Sequence, residues 1–562
     1  MIYRIADNIT SPLGKTTADN FRAILEGRSA LRLHEGTFGQ PEPFYASLFE
    51  EGDLPEIEGY TRFERAVIHS VGEALSHCGA DITDPRTLFI LSTTKGNIEL
   101  LQQGDEESVL LGRTARKIAD YFHHPGNPLV VSNACISGVC AQIAAMRAIR
   151  SGRYDTAVVT GCEVQSRFIV SGFQAFHALS PDLCRPYDKD RQGLNLGEAA
   201  ATLVLSRFAP EETGETGVFV LEAGSNHNDA NHISGPSRTG EGSYQVLRDL
   251  SEGVDKDDIA FINAHGTSTL YNDEMESIAI HRASLDALPV NSLKGYYGHT
   301  MGAAGILEVI LSLQAVSHHV VLGTRGYAAC GTTYPLQVSS RHGETSRPSF
   351  IKLMSGFGGC NAGVRWREQR GAKRGERNDS NAEDNLAPRS TFHVPRPTFH
   401  APRSTFHALY SRIAPYPKFH KMDALCKAGF AGSEMLLQQL KDRERETAII
   451  LFNSTSSLCD DLHYQATIQD KDNFFPSPAV FVYTLANIVT GEIAIRNGWH
   501  GETAFYVLEK FDEERINAIA ADAFQDPHTR RILTGWTDCR SDDDYDVRLW
   551  LLEREEDITQ EQ

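Results

Sequence analysis

The amino-acid sequence predicts a layered α/β protein with a largely parallel sheet, and two observations carry that expectation. Continuous apolar runs recur at Thr87-Leu88-Phe89-Ile90-Leu91-Ser92, Pro128 to Val131, Thr156 to Thr160, Ala201 to Leu205 and Ile259 to Asn263, as expected of central strands covered on both faces. Stretches of helical period lie between them, so strands and helices alternate. Taken in order, Ile9-Thr10-Ser11-Pro12-Leu13-Gly14 reads as a strand end and turn, and Ala18 to Gly27 as the amphipathic helix that follows. A second helix is expected from about Arg62 to Cys78. A third, rich in alanine, runs from Ile136 to Arg150 and ends at Gly152.

A chain of 562 residues, 41% hydrophobic and 9% aromatic, calls for several globular domains. Its net charge of −20 argues against a nucleic-acid surface and against adhesion to anionic membranes, so an acidic partner requires a local basic patch. The N-terminus, Met1-Ile2-Tyr3-Arg4-Ile5-Ala6-Asp7, shows no charged leader and apolar core, and no stretch approaches the ~18 apolar residues of a membrane span. A cytoplasmic protein without a membrane span is expected. The 10 cysteines are scattered, with no C-x-x-C pair and no zinc spacing, which disfavours disulfides and structural zinc.

Three regions follow from composition: residues 1–367, a linker over 368–408, and a second globular region over 409–562. Arg370 to Asn385 is polar and charged, as a mobile tether would be. A tandem heptapeptide comes next, Ala387 to His393, Val394 to His400 and Ala401 to His407. Low-complexity expansion accounts for its three histidines more simply than a metal tract does. From Leu409 the pattern resembles a degenerate copy of the first region. Tyr416 to Lys421 echoes Tyr60 to Arg65, Thr447 to Leu451 echoes Thr87 to Leu91, and Ile495-Arg496-Asn497-Gly498 echoes Ile149-Arg150-Ser151-Gly152. Counting back from the last match places Phe481 where Cys135 stands, so the copy has no nucleophile.

Cys135, in Val131-Ser132-Asn133-Ala134-Cys135-Ile136-Ser137-Gly138, sits where a buried strand becomes a helix. Unsatisfied N–H groups and the helix dipole there favour thiolate, although a free cysteine is often only a packed hydrophobe. Two histidines occupy glycine- and hydroxyl-rich segments, Asn263-Ala264-His265-Gly266-Thr267-Ser268-Thr269 and Lys294-Gly295-Tyr296-Tyr297-Gly298-His299-Thr300-Met301-Gly302-Ala303-Ala304-Gly305. Either histidine alone is as well read as a hydrogen-bonded structural residue. Ser355-Gly356-Phe357-Gly358-Gly359-Cys360-Asn361-Ala362 follows an expected strand over Phe350 to Met354, and alone reads as a phosphate cradle or a tight turn.

These four segments in this order resemble the β-ketoacyl synthase family, specifically its elongating Cys-His-His enzymes. Arg185-Pro186-Tyr187-Asp188 with Arg191 and Gly193, and Asn272-Asp273-Glu274-Met275-Glu276, are similar to further family signatures. The sequence departs from the family at Gly197-Glu198-Ala199-Ala200, where Gly-Glu-Gly-Ala is usual, and at Cys360, where threonine is usual. The resemblance implies a thiolase-like fold of duplicated α/β halves with mixed five-stranded sheets over 1–367, and a second, incomplete half over 409–562.

It further implies a decarboxylative Claisen condensation on carrier-bound thioesters. Cys135 takes the acyl chain, and neutral His265 and His299 stabilise the enolate of the malonyl thioester. Cys135 and Phe357 N–H groups serve as oxyanion donors, Phe357 also gates the site, and Lys294 supplies a charge paired with Glu276. The expected partners are acyl carrier protein with malonyl and acyl thioesters, in a homodimer or a ketosynthase-like heterodimer. The resemblance implies no metal and no cofactor beyond the carrier's phosphopantetheine. Arg62 and Arg65 are candidate carrier contacts, with a solvated face as the competing reading. Rival readings are an enzyme that only decarboxylates or hydrolyses thioesters, and a non-catalytic chain-length-factor-like partner of another ketosynthase.

Overall fold

The first mixed sheet is assembled from β1 (Tyr3–Thr10), β2 (Thr87–Ser92), β3 (Leu129–Val131), β4 (Thr156–Glu163) and β5 (Ala199–Ser206). Its order is 3-2-4-5-1, with β3, β2 and β4 parallel and β5 and β1 antiparallel. The computed structural model describes residues 1–210, 217–369, 392–393, 399–400, 406–440, 442, 446–470, 474–541 and 543–554. Around this sheet lie α1 (Arg62–Ser76), α2 (Leu111–Tyr121), α3 (Ser137–Arg150) and α4 (Arg167–Ala175). The start of α1 is specified locally: Thr61 Oγ1 accepts from Glu64 N–H, and the Glu64 carboxylate accepts from Thr61 N–H, which closes a capping box.

A second sheet repeats the pattern with β6 (Phe219–Asn228), β7 (Ile259–Asn263), β8 (Pro289–Asn291), β9 (Ser349–Gly356) and β10 (Cys360–Glu368). Its order, 8-7-9-10-6, copies the strand directions of the first, as a duplicated α/β fold requires. Two of its helices are α5 (Leu270–Arg282) and α6 (Ala304–Ser317). Helices α3 and α6 are buried on almost every face, which is why both are apolar all round, and they pack against each other between the sheets. Glycines set that crossing. A side chain on Gly305 would begin 2.7 Å from Val139 N, and one on Gly138 would begin 3.0 Å from Ile306 N. The small-residue runs around Cys135 and after His299 therefore let two backbones meet.

The C-terminal region adds α7 (Ala424–Leu437), β11 (Ala448–Asn453), α8 (Leu458–Ile468), α9 (Pro478–Tyr483), α10 (Ile488–Asn497), β12 (Thr503–Val507), α11 (Glu513–Ala521), β13 (Arg531–Ser541) and β14 (Asp544–Arg554). Strand β11 pairs in parallel with β12 and β13, and β14 runs antiparallel to β13, as β2, β3, β4 and β5 do in the first sheet. The incomplete second half is thus one more copy of the same layer.

Three expectations change here. The copy does not hang apart from the first region. β12 pairs antiparallel with β3 (Tyr506 with Val131, Val507 with Val130), so the two sheets are one, and Leu129, Val131 and Met146 share a core with Ile450, Tyr506, Ile516 and Trp536. The helix ending at Gly498 precedes β12, so it matches α2 and not α3. In register from β12, the position of Cys135 is held by Lys510 and not Phe481, because Ile90 faces Leu129 as Ile450 faces Ala504. The count from Gly498 failed because the copy lengthens the segment between β11 and β12. Finally, the 368–408 linker is not wholly apart from the fold. Phe392–His393 and Phe399–His400 pair with the edge of β14 in the place that β1 takes beside β5, and Phe406–Tyr410 is helical. The tether over Arg370 to Asn385 lies outside the described residues. No helix among those described is long and apolar enough to cross a membrane.

Candidate active site

The end of β3 turns sharply into α3. Asn133 N–H donates to Ser137 Oγ at 2.7 Å, Ser137 Oγ–H donates to Ala134 O at 2.6 Å, and Ala134 is held at φ 47°, a left-handed conformation uncommon for a residue with a Cβ. Cys135 is thereby lifted to the first turn of α3. Its Sγ lies 3.0 Å from His299 Nε2, and the His265 and His299 rings meet edge to face with centroids 5.0 Å apart. One ligand atom from each of Cys135, His265 and His299 lies within 4.8 Å of the others, so all three converge on one small volume.

The tautomer of His299 follows from its surroundings. Met301 N–H donates to His299 Nδ1 at 3.3 Å, which leaves the proton on Nε2, aimed at Cys135. Burial holds both imidazoles well below the ordinary histidine pKa, and the nearby Lys294 charge adds to the effect. Both are therefore neutral N–H donors at neutral pH. His265 Nδ1 is buried and without a partner among the described residues.

The thiolate expected at Cys135 is not the resting form. Burial pushes its thiol up to about 12, with Lys294 pulling down and Glu163 adding to the rise. Desolvation outweighs the helix dipole here because the end of α3 is covered by the second sheet. Glu163, at the end of β4, was not singled out in the sequence. Burial raises its carboxyl to about 7 against hydrogen bonds from Thr94, Thr93 and Gly302, and its Oε2 has no partner among the described residues.

The expected pairing of Lys294 with Glu276 is also replaced. Lys294 Nζ meets Glu308 Oε1 at 2.8 Å, and Lys352 Nζ bonds the other oxygen of the same carboxylate and donates to Ala264 O at 3.2 Å. Burial opposes ionisation of Glu308, yet the two lysines hold its carboxyl below the usual value, while burial lowers Lys352 to about 8. Glu276 instead braces the His265 loop, accepting from the His265 and Gly266 N–H groups at 2.7 Å each, from Tyr187 Oη at 2.9 Å and from Asn272 Nδ2 at 2.9 Å. This explains the two flanking motifs. Arg185 to Asp188 and Asn272 to Glu276 are the scaffold that aims His265.

With this geometry in hand, two family models match the chain: β-ketoacyl synthase, N-terminal domain, over residues 5–210, and β-ketoacyl synthase, C-terminal domain, over 218–328. Nodulation protein E of Rhizobium leguminosarum bv. trifolii is 32% identical over 398 residues, which is 63% of this chain and 96% of the relative. The chain belongs to the β-ketoacyl synthase family. Among solved structures, a ketosynthase (ApeO) in complex with its chain length factor (ApeC) from Xenorhabdus doucetiae is 27% identical at a TM-score of 0.58, covering 66% of this chain and 98% of that one. A PfaC keto synthase-chain length factor matches 99% of this chain and 78% of its own length at a TM-score of 0.74. At 13% identity that likeness concerns the fold alone, and it extends through the C-terminal half.

The departures from family pattern fall at defined places in the fold. Ala199 is buried in β5, beside a Glu198 carboxylate that accepts from the Phe49 and Gln165 N–H groups at 2.7 Å each. Cys360 Sγ lies in the turn that carries Phe357 and donates to Phe357 O at 3.2 Å. The candidate carrier contacts do not stand free. Arg62 is 25% exposed and pairs with Glu198 at 2.9 Å and Glu99 at 3.7 Å, and Arg65, 18% exposed, pairs with Glu56 at 2.5 Å. Of their partners only Glu198 is fully buried, Glu99 is part-exposed and Glu56 stands in solvent.

Proposed function

We propose that the chain is an elongating 3-oxoacyl-[acyl-carrier-protein] synthase whose C-terminal half stands in for a chain-length-factor-like partner within the same polypeptide. The observation that carries the reading is the His299 Nε2–H directed at Cys135 Sγ from 3.0 Å, with His265 beside it. A buried thiol with a raised pKa is protected until a thioester arrives.

In the first step the Cys135 sulfur attacks the acyl thioester of acyl carrier protein. The acyl–Cys135 bond forms, the bond to the carrier's phosphopantetheine sulfur breaks, and the thiol proton passes to that leaving sulfur. The malonyl thioester of a second carrier then places its carbonyl oxygen against the N–H donors of His265 and His299. The carboxylate carbon leaves as carbon dioxide, and the negative charge collects on the enolate oxygen that they face. The enolate carbon attacks the acyl–Cys135 carbonyl, with the Cys135 and Phe357 N–H groups receiving the oxyanion; the bond to the Cys135 sulfur then breaks, and that sulfur regains a proton from water. Neither a metal nor a cofactor enters these steps. Burial keeps the two histidines neutral, and the Lys294 and Lys352 charges add to the effect.

Support for a built-in partner comes from the β3 edge, which is already paired with β12 inside the chain, and from Lys510 at the position of the nucleophile. The non-catalytic reading therefore suits residues 409–554, whereas the intact triad argues against it for residues 1–367. Intact-mass analysis of the protein and its Cys135→Ala variant, after exposure to acyl-loaded carrier and then to malonyl carrier, tests the proposal. An adduct confined to Cys135 and discharged into a 3-oxoacyl carrier, at a rate that chelators leave unchanged, is the expected result. Failure of a folded protein to take any of several acyl groups would sink it.

A further inference from the structure

The turn after β9 brings Phe357 beside the nucleophile, since a side chain on Gly356 would begin 3.3 Å from Cys135 N. From there an aromatic row leads into the C-terminal half. Phe357 meets Phe176 with centroids 5.4 Å apart, and Phe176 meets Phe481 at 6.1 Å. Within the first region the turn is held by Gly358 N–H, which donates to Ile233 O at 2.6 Å, and by Asn228 Nδ2, which donates to Gly358 O at 2.9 Å. The carbonyl of Phe357 accepts a weak bond from Cys360 Sγ at 3.2 Å in the first region and a stronger one from the other half, where Asn487 Nδ2 donates to it at 2.8 Å.

Asn487 stands at the N-terminal end of α10, where an asparagine side chain ordinarily accepts from the helix's own N–H groups. It makes no such bond here. The residue is 1% exposed, and its Oδ1 is buried without a partner among the described residues. An unpaired buried amide oxygen costs stability, so what its amide nitrogen reaches is the informative contact. The neighbouring backbone is as closely fitted. A side chain on Gly491 would begin 2.5 Å from Gly358 O, and one on Gly358, at φ +92°, would begin 2.6 Å from Asn487 Nδ2. Only hydrogen atoms separate α10 from the turn.

Resting on the condensing-enzyme reading above, we infer that Asn487 is a positioning residue for the acyl gate. It holds the Phe357 carbonyl in the resting turn, and an acyl chain long enough to displace the Phe357 ring works against that bond. The half without a nucleophile thereby takes part in choosing the acyl group. Short chains that leave the ring in place are indifferent to Asn487, and long ones are not.

The test uses the full chain and measures the rate of Cys135 acylation, by intact mass, from carriers loaded with a short and a long saturated acyl group. Iodoacetamide alkylation of Cys135 is followed in parallel as a probe of intrinsic thiol reactivity. Asn487→Leu removes one donor to a carbonyl and is expected to raise the long-to-short rate ratio about two- to tenfold, the worth of one such bond. Alkylation and melting temperature should be little changed. Gly491→Ala presses on the same turn while keeping the donor, and should move the ratio in the same direction; it decides the question if Asn487→Leu does not fold. Acylation of the unaltered chain with a ratio that stays within twofold in a folded variant overturns the assignment while leaving the condensing reading intact. Absence of acylation from the unaltered chain overturns both.

Discussion

The turn after β3 and the turn after β12 occupy related positions about the pairing of Val131 with Tyr506, and they differ in every feature that chemistry needs. In the first, Ser132-Asn133-Ala134-Cys135-Ile136-Ser137 is small and uncharged. Ala134 takes a left-handed conformation, and Ser137 ties the turn so that the thiol faces two histidines. In the second, Val507-Leu508-Glu509-Lys510-Phe511-Asp512 is bulky and charged. Asp512 caps α11 in the ordinary way by accepting from Arg515 N–H at 3.0 Å, and the converged histidine pair lies at the first turn. Strand order and pairing survive the loss of the site because the strands are set by buried apolar runs. The site needs particular side chains at a few turn positions, and nothing in the packing preserves them.

The largest break in the comparison should come from Cys135→Ala, which is expected to lower acyl transfer to background. Lys510→Cys should acquire no acyl group, because the converged histidine pair lies at Cys135. An adduct at residue 510 in the mass spectrum would mean that the turn alone suffices. Next is the contact that fastens the halves together. Lys95 reaches across from the end of β2 to Asp461 at 2.5 Å and Ser457 Oγ at 3.1 Å, and both charged groups are buried. Lys95→Met leaves a buried carboxylate unpaired and should cost about 3–5 kcal/mol, read by denaturant unfolding, with most of it recovered in Lys95→Met/Asp461→Leu.

Smaller is Glu276→Leu, which strands the His265 and Gly266 N–H groups. It should reduce condensation by about 1–3 kcal/mol of barrier per unpaired donor while sparing Cys135 acylation, a split that single-turnover kinetics resolves. Lys352 offers a test by pH. Its folded pKa of about 8 lies below its unfolded value of 10.5, so between these pH values the unfolded chain binds more protons and the folded state gains stability as pH rises. Lys352→Met should remove that gain, as melting temperatures between pH 8 and 10.5 would show. Least of all, Arg65→Ala should change carrier affinity less than twofold, since its guanidinium already serves Glu56.

Much of this protein was legible from residue pattern. The apolar runs at Thr87 to Ser92 and Ile259 to Asn263 marked central strands, and the helical period from about Arg62 marked α1. The small-residue turn at Cys135 and the two histidine motifs announced the site, and they do converge. The partners of charged groups were not legible. Glu308 and Lys352 lie on a buried helix and a central strand with no motif around them, so nothing in their local sequence shows that they meet Lys294. The protonation state of Cys135 was misread for a related reason: the helix end is local, but the burial that overrides it comes from a sheet more than a hundred residues away.

By itself the sequence determined several central strands and the helices between them, and which cysteine and histidines are candidates. These properties depend on local period and short-range turn chemistry. Tertiary structure alone decided that the C-terminal copy continues the first sheet through β3 and β12, that Lys510 holds the nucleophile's position, and that Asn487 reaches the Phe357 carbonyl. Strand edges, buried ion pairs and desolvation are settled by what packs against a residue in space, and local sequence does not show that partner, whether it stands 14 positions away, as Glu308 does from Lys294, or 366, as Asp461 does from Lys95.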